Sequence, residues 1–146
     1  MKKLLLAILV VAGLGTSAFA TDVTKVSSRA QSSFEARFGN AQNVKWIAKD
    51  SYNKVTFTLA GEDVEAFFAT DGDLIGLSRK VELKNLPLTA IEKIKKEYAD
   101  YSVKEVIEFE QNEEKSFYVS LQKADKKQIL EVSLYGNVSV YRGNSK

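Results

Sequence analysis

Four glutamates near residue 110 come closer to a catalytic arrangement than any other side chains in this sequence. They are Glu108, Glu110, Glu113 and Glu114. Two neighbouring carboxylates can act as an acid and a base when their environments separate their pKa values. Here they adjoin the polar, turn-like pair Gln111-Asn112, where carboxylates are expected to be exposed and ionised. We therefore predict no catalytic residues and a protein that is not an enzyme, with a weak carboxylate-dependent hydrolase as a competing hypothesis.

The residue types that the chain lacks exclude most other chemistry. The 146 residues include no His and no Cys. Serine triads with histidine, cysteine nucleophiles and zinc sites of the usual nitrogen and sulfur kind are therefore excluded. Asp71-Gly72-Asp73 could begin a calcium loop, but no closing glutamate follows, and the pattern is more typical of a hairpin turn. We expect no cofactor and no metal.

The first 20 residues have the pattern of a secretory signal peptide. Basic Lys2-Lys3 precede an apolar run, and small residues at alternate positions end at Ala20. This pattern predicts a periplasmic or secreted protein, and the absence of cysteine excludes a lipoprotein anchor. Removing both lysines leaves 19 basic residues against 19 acidic ones, so nucleic-acid binding and membrane anchoring after cleavage are not expected.

The rest of the chain, 21–146, contains two similar segments and is expected to form one compact domain. In each segment an apolar stripe with helical spacing is followed by stretches of period-two alternation, which are typical of strands. Aligning Gly72 with Gly136 superimposes the later strands of the two segments. We predict an α+β fold made of two repeats, residues 21–84 and 85–146, each a helix followed by a four-stranded antiparallel meander.

Strand alternation predicts that one face of the sheet is left uncovered, because the helices lie on the other. We assign Lys104, Val106 and Glu108 to the uncovered face, together with several large apolar side chains. The candidate partner-binding residues on this face are Ile47, Glu65, Phe67, Tyr118 and Tyr141. Aromatic side chains on an open face can anchor a partner protein. The alternative is that these aromatic residues are merely exposed or packed at an edge.

An ordered set of short motifs resembles the PepSY-like family of exported bacterial proteins, also called β-lactamase-inhibitor-like. The motifs include Phe34-x3-Phe38, Val44-Lys45-Trp46, Ala66-Phe67-Phe68, Leu86-Pro87-x3-Ile91 and Phe117-Tyr118-Val119. The resemblance implies a curved antiparallel sheet with helices on one side and a concave open face. This chain differs from the true inhibitors in having no cysteine, and none of their contact residues carry over.

The function that the resemblance implies is protein binding. β-Lactamase inhibitor proteins grip an enzyme through a similar face, and PepSY domains are associated with restraining secreted peptidases. We therefore expect a non-enzymatic exported module that binds another envelope or secreted protein, such as a peptidase. The alternative is a domain that binds a small ligand or peptide in a pocket between the two repeat sheets.

Overall fold

The computed structural model describes residues 25–143, so the predicted signal peptide and its cleavage site lie outside the described residues. The helices are α1 (Ser28–Arg37) and α2 (Leu88–Glu97), and a short 3-10 helix spans Leu83–Asn85. The strands are β1 (Gln42–Ala48), β2 (Asn53–Leu59), β3 (Glu62–Phe68), β4 (Leu74–Val81), β5 (Ser102–Gln111), β6 (Glu114–Lys123), β7 (Lys126–Ser133) and β8 (Val138–Val140). Within the described part, no helix is long and apolar enough to span a membrane.

Both helices form where the apolar spacing predicts them. In α1 the Ser27 hydroxyl accepts a hydrogen bond from the backbone N–H of Ala30, which satisfies one of the free donors at the helix N-terminus. In α2 the N-cap residue is Pro87, whose fixed φ favours the start of a helix. Each helix buries an alanine and a large apolar residue against the sheet, Phe34 in α1 and Ile94 in α2.

The eight strands form one antiparallel sheet in the order of the chain, from β1 to β8. The α+β class is confirmed, but the prediction of a tandem repeat of a helix and a four-stranded meander is wrong. The finding that overturns it is the pairing of β4 with β5, where five residue pairs run from Leu77↔Glu110 to Val81↔Val106. Two separate four-stranded sheets would leave both strands as free edges with unpaired backbone groups, and their pairing removes these edges.

Two hydrophobic clusters lie between the sheet and the helices. The α1 cluster contains Ala30, Phe34, Val55, Phe57, Ala66 and Phe68. The α2 cluster contains Leu86, Ala90, Ile94, Val106, Phe117, Val119, Leu121, Leu130 and Val132. The predicted placement of Trp46 in the core is confirmed, because its ring packs edge-on against Phe34 with centroids 5.4 Å apart. Each helix thus covers one half of the same sheet face.

A row of charged side chains separates the two clusters on the helix-covered face. Along β4, Leu77 packs in the α1 cluster and Val81 in the α2 cluster, with Arg79 between them. Arg79 lies 2.7 Å from Glu62 Oε2 and 3.1 Å from Glu108 Oε1. These hydrogen-bonded ion pairs raise the pKa of the Arg79 guanidinium, with Glu108 the principal cause. The gap between the helices is therefore polar.

Gly76 in β4 allows two aromatic rings to meet on the face that no helix covers. It pairs with Phe67 of β3, and a Cβ atom at this position would lie 2.6 Å from Phe109 Cζ. The rings of Phe67 and Phe109 are 6.2 Å apart across the glycine. Because the strand between them carries no side chain here, aromatic residues from β3 and β5 can contact each other.

Replacing Gly76 by alanine tests this packing. The added methyl group would also lie 2.9 Å from the backbone oxygen of Glu110, so the strand itself would have to shift. We expect Gly76→Ala to lower the free energy of unfolding by about 1–3 kcal/mol, measured by urea denaturation. Phe109→Leu in the same chain should recover part of that loss.

Gly39→Ala is the matched control. A Cβ atom at Gly39 would have one close neighbour, the Glu35 backbone oxygen at 3.4 Å, and its φ is not left-handed. We expect this variant to change the free energy of unfolding by less than about 0.5 kcal/mol. Equal effects of the two glycine substitutions would contradict the packing described for Gly76.

Candidate functional site

The candidate site lies on the sheet face opposite the helices, which we call the helix-free face. Register and alternation place Lys54, Glu65 and Phe67 on it, and they extend it through Ser78 to Phe109. The buried apolar cluster on this face contains no residue from either helix. Among residues 25–143, this face is therefore covered only by its own strands and their connections.

One part of this face is an aromatic patch, which we define as Tyr52, Phe67, Phe109, Tyr118 and Tyr141. The ring centroids of Tyr52 and Phe67 are 6.0 Å apart, and those of Tyr118 and Tyr141 are 5.3 Å apart. The first four residues are between 3% and 7% exposed. Tilted and edge-on contacts at these distances are the favourable geometries for aromatic pairs. The patch therefore acts as a third hydrophobic core.

The five predicted partner-binding residues differ in their position and solvent exposure. Phe67 and Tyr118 are on the predicted face and are 3% and 4% exposed, so both side chains are buried in the aromatic patch. Tyr141 is half-buried against Tyr118. Ile47 in β1 is exposed, and Glu65 in β3 lies at the edge of a groove. The five residues do not form one surface.

A polar groove of about 690 Å³ lies beside the aromatic patch. We define it by the residues of the helix-free face that line it from strands β1 to β5, which are Lys45, Thr56, Thr58, Glu65, Ser78, Lys80, Glu105 and Ile107. Glu62 and Arg79 of the charged row border the same volume. Its volume falls in the range of sites that bind small molecules or peptides. The groove is open and half polar, unlike the neighbouring aromatic patch.

Ion pairs and hydrogen bonds fix the side chains of the groove. Lys54 Nζ lies 2.6 Å from Glu65 Oε1, and the Ser78 hydroxyl donates to Glu65 Oε2 at 3.2 Å. Lys80 Nζ lies 2.6 Å from Glu105 Oε1, and this hydrogen bond raises the pKa of the Lys80 ammonium. Charges of both signs alternate across the strands. The groove is suited to a polar partner that carries charges of both signs.

Sequence reasoning singled out none of Lys54, Ser78, Lys80 and Glu105. Lys54 and Thr56 share strand parity in β2, so the alternation of this strand is a usable signal for the face on which Lys54 lies. The prediction that Val106 and Glu108 lie on the uncovered face is wrong, whereas Lys104 lies at a register shift and has no paired partner in β6. A register shift between Val103 and Glu105 displaces the alternation of β5 by one residue, and Val106 packs in the α2 cluster. No local pattern in the sequence marks this bulge.

The four glutamates near residue 110 do not gather in a pocket. Glu108 accepts contacts from Arg79 at 3.1 Å and Lys115 at 3.4 Å, and Glu110 lies 3.5 Å from the same lysine. Glu113 lies in the turn between β5 and β6 with a φ of 67°. The first two belong to the charged row on the helix-covered face. Within the described residues there is no group of three acidic side chains able to hold a metal ion.

Three tyrosines on the helix-free face have raised pKa values. Burial, with the charge of Glu131 and the hydrogen bond to its carboxylate, raises the pKa of the Tyr118 hydroxyl far above its usual range. Burial also raises the pKa of Tyr52 and Tyr141, with Glu65 and Glu131 adding to it. These hydroxyls therefore stay neutral at any ordinary pH and supply no base for catalysis.

Comparison with solved structures gives the same architecture in bacterial proteins. The chain matches a DUF2874 family protein from Bacteroides uniformis with a TM-score of 0.69 at 16% identity, over 76% of this chain and 84% of that one. It matches a BLIP-like protein from Bacteroides fragilis with a TM-score of 0.68 at 21% identity, over 82% and 89% of the two chains. The chain has a BLIP-like fold.

A third match is a protein of Bacteroides eggerthii provisionally assigned to the periplasm, with a TM-score of 0.70. It is 17% identical over 77% of this chain and 85% of that one. No family model and no curated protein matches the sequence. At these identities the likeness establishes the fold alone, and one fold hosts many functions.

Alkaline titration tests the burial of the aromatic patch. Tyr52, Tyr118 and Tyr141 have raised pKa values, so unfolding releases protons above pH about 10, the usual tyrosine value. We expect their stabilising contribution to be intact below that pH and to be lost as the pH rises above it. Ultraviolet absorbance should show that the hydroxyls of Tyr52, Tyr118 and Tyr141 ionise only as the chain unfolds.

Tyr118→Phe tests the contribution of the Tyr118 hydroxyl, whose pKa is raised the most. The ring packing is retained while the hydroxyl beside Glu131 is removed, so the alkaline loss of stability should become smaller. Normal, reversible ionisation of all six tyrosines in the folded chain would contradict the burial described here.

Proposed function

We propose that this chain is an exported, non-enzymatic binding module that engages another cell-envelope or secreted protein through the polar groove of its helix-free face. Export is supported by the basic and apolar pattern of residues 1–20 and by the structural match to a protein provisionally assigned to the periplasm. The absence of His and Cys from the sequence favours binding over catalysis.

The observation that carries the proposal is the contrast between the two halves of the helix-free face. The aromatic patch is closed by its own rings, whereas the polar groove is open and its charged side chains are already held in place. Side chains that are fixed before binding lose less conformational entropy when a partner docks. Ile47, which is 37% exposed on the same face, adds apolar surface beside these charges.

The partner class rests on the family resemblance of the sequence. A secreted peptidase is the protein that a PepSY-like module would restrain, and the mixed charges of the groove suit the polar surface of a folded protein. We expect a direct assay of β-lactamase inhibition to be negative, because no segment of this chain matches the enzyme-probing loop of the true inhibitors.

A second candidate function is the binding of a peptide or small ligand in the same groove. The volume of about 690 Å³ and the convergence of Glu65, Ser78 and Lys80 favour it. The groove is built by strands β1 to β5 of one sheet, so the predicted location of a pocket between two repeat sheets is wrong. Isothermal calorimetry with the natural partner and with peptides cut from it would separate the two candidates.

The test of the proposed function is a groove variant with a matched control. Thr56→Arg with Lys80→Glu fills the groove and reverses one of its charges. Tagged chain is recovered from the native envelope, and bound proteins are identified by mass spectrometry. We expect the variant to lose the partner that the unaltered chain captures, with a thermal midpoint that is nearly unchanged.

Ser32→Arg with Lys96→Glu provides the control. These exposed positions lie on α1 and α2, on the opposite side of the sheet, and undergo the same kinds of change. We expect this variant to retain the partner. If both variants retain it, the polar groove is not the binding surface, and if both lose it, the loss reflects total charge.

A further inference from the structure

Strand β1 is a long free edge of the sheet. It spans seven residues and pairs only with β2, whereas the opposite edge, β8, has three. Lys93 Nζ of α2 donates a hydrogen bond of 3.4 Å to the carbonyl oxygen of Val138 in β8, so α2 covers part of that edge. No such contact from a helix side chain is made to the backbone of β1 among the described residues. The two edges therefore differ in their availability to another strand.

The outward backbone groups of β1 follow from its hairpin with β2. The N–H of Lys49 donates to the carbonyl of Tyr52 at 2.9 Å and closes the hairpin. Hydrogen-bonded and non-hydrogen-bonded residue pairs alternate along an antiparallel ladder. Because Lys49 and Tyr52 form a hydrogen-bonded pair, Ala48 opposite Asn53 and Trp46 opposite Val55 form non-hydrogen-bonded pairs. The N–H and C=O groups of Trp46 and Ala48 point away from β2. A strand added to β1 would pair with these groups.

A cleft of about 280 Å³, lined mainly by apolar residues, opens beside the same edge, between α1 and β1. Phe34 and Phe38 line it from the helix, and Val44 and Trp46 line it from the strand. A strand added about 4.8 Å beyond β1 would place every second side chain over this cleft. Backbone pairing combined with pockets for alternate side chains is the usual basis for recognition of an extended peptide at a sheet edge.

The charges along β1 indicate which peptide fits. Lys45 has the same strand parity as Ile47, and Lys49 continues that parity, so all three belong to the helix-free face. Neither lysine makes an ion pair with a described carboxylate. On the other side, Glu35 lines the cleft and disfavours an acidic side chain there. The edge thus favours acidic residues on one side of a strand and apolar residues on the other.

We propose that β1 is a strand-addition site for an extended peptide in which acidic and apolar side chains alternate. The apolar side chains enter the cleft beside Phe38 and Trp46, and the acidic ones pair with Lys45. A second copy of this chain is a poorer occupant, because it would bring the same lysines to the same edge. This site shares Lys45 with the polar groove, but it does not depend on the proposed function of the groove.

The probe is a synthetic acetylated and amidated peptide of alternating glutamate and valine, as long as the seven residues of β1. Trp46 is the only tryptophan, so its fluorescence reports directly on the edge. We expect a saturable change in fluorescence and slower hydrogen exchange of the Trp46 and Ala48 amides. N-methylation of the peptide amides that face β1 should abolish both effects, since it removes backbone pairing and keeps the side chains.

Two valines of similar exposure provide the matched variants. Val44 lines the cleft at β1 and is 40% exposed, and Val140 in β8 is 43% exposed. We expect Val44→Asp to weaken binding of the probe about tenfold or more, and Val140→Asp to leave it unchanged. Lys45→Glu should weaken binding of the glutamate peptide. It should strengthen binding of a peptide in which lysine replaces glutamate.

Three results would overturn the proposal. One is the absence of a fluorescence change at millimolar peptide, and another is an equal effect of the two valine substitutions. The third is sedimentation of the free chain as a dimer that Val44→Asp dissociates, which would make a second copy the occupant of the edge. If the chain fails to bind the peptide at β1 but still captures a protein partner through the groove, only the strand-addition proposal is overturned.

Discussion

The pairing of β4 with β5 is the contact on which the rest of the structure depends. It joins the strands that follow α1 to those that follow α2, and it brings a different interaction to each face. On the helix-covered face it places Arg79 opposite Glu108, and on the helix-free face it brings Phe109 over Gly76. Without this pairing, neither the charged row nor the aromatic patch would exist.

The two faces of the sheet bury their apolar side chains in different ways. The covered face uses a helix over each half, and the charged row lies where neither cluster continues. The helix-free face uses rings that cover one another across a glycine, so that only the polar groove stays open. An eight-stranded sheet with helices on one side is therefore stabilised on both sides, and the surface available for binding is smaller than a whole sheet face.

Particular residues show where sequence reasoning succeeds and where it stops. The helical spacing of Ala30 and Phe34 and the alternation of Phe67 with its neighbours predicted the elements and the correct face for that ring. Its burial was missed because the contact partner, Phe109, is two strands away and 42 positions later in the chain. The face of Val106 was wrong because a bulge displaced the register of β5.

The sequence by itself determined the chemistry that the chain excludes, the two helices, the alternation of the strands and the α+β class. These are set by residue types and by spacing over a few positions, which local sterics and amphipathicity control. Only the tertiary structure decided that all strands form one sheet, that Tyr118 lies in a core, and that β1 has a free edge next to a mainly apolar cleft. Strand alternation specifies which side a residue occupies, but pairing between distant strands decides what that side contacts.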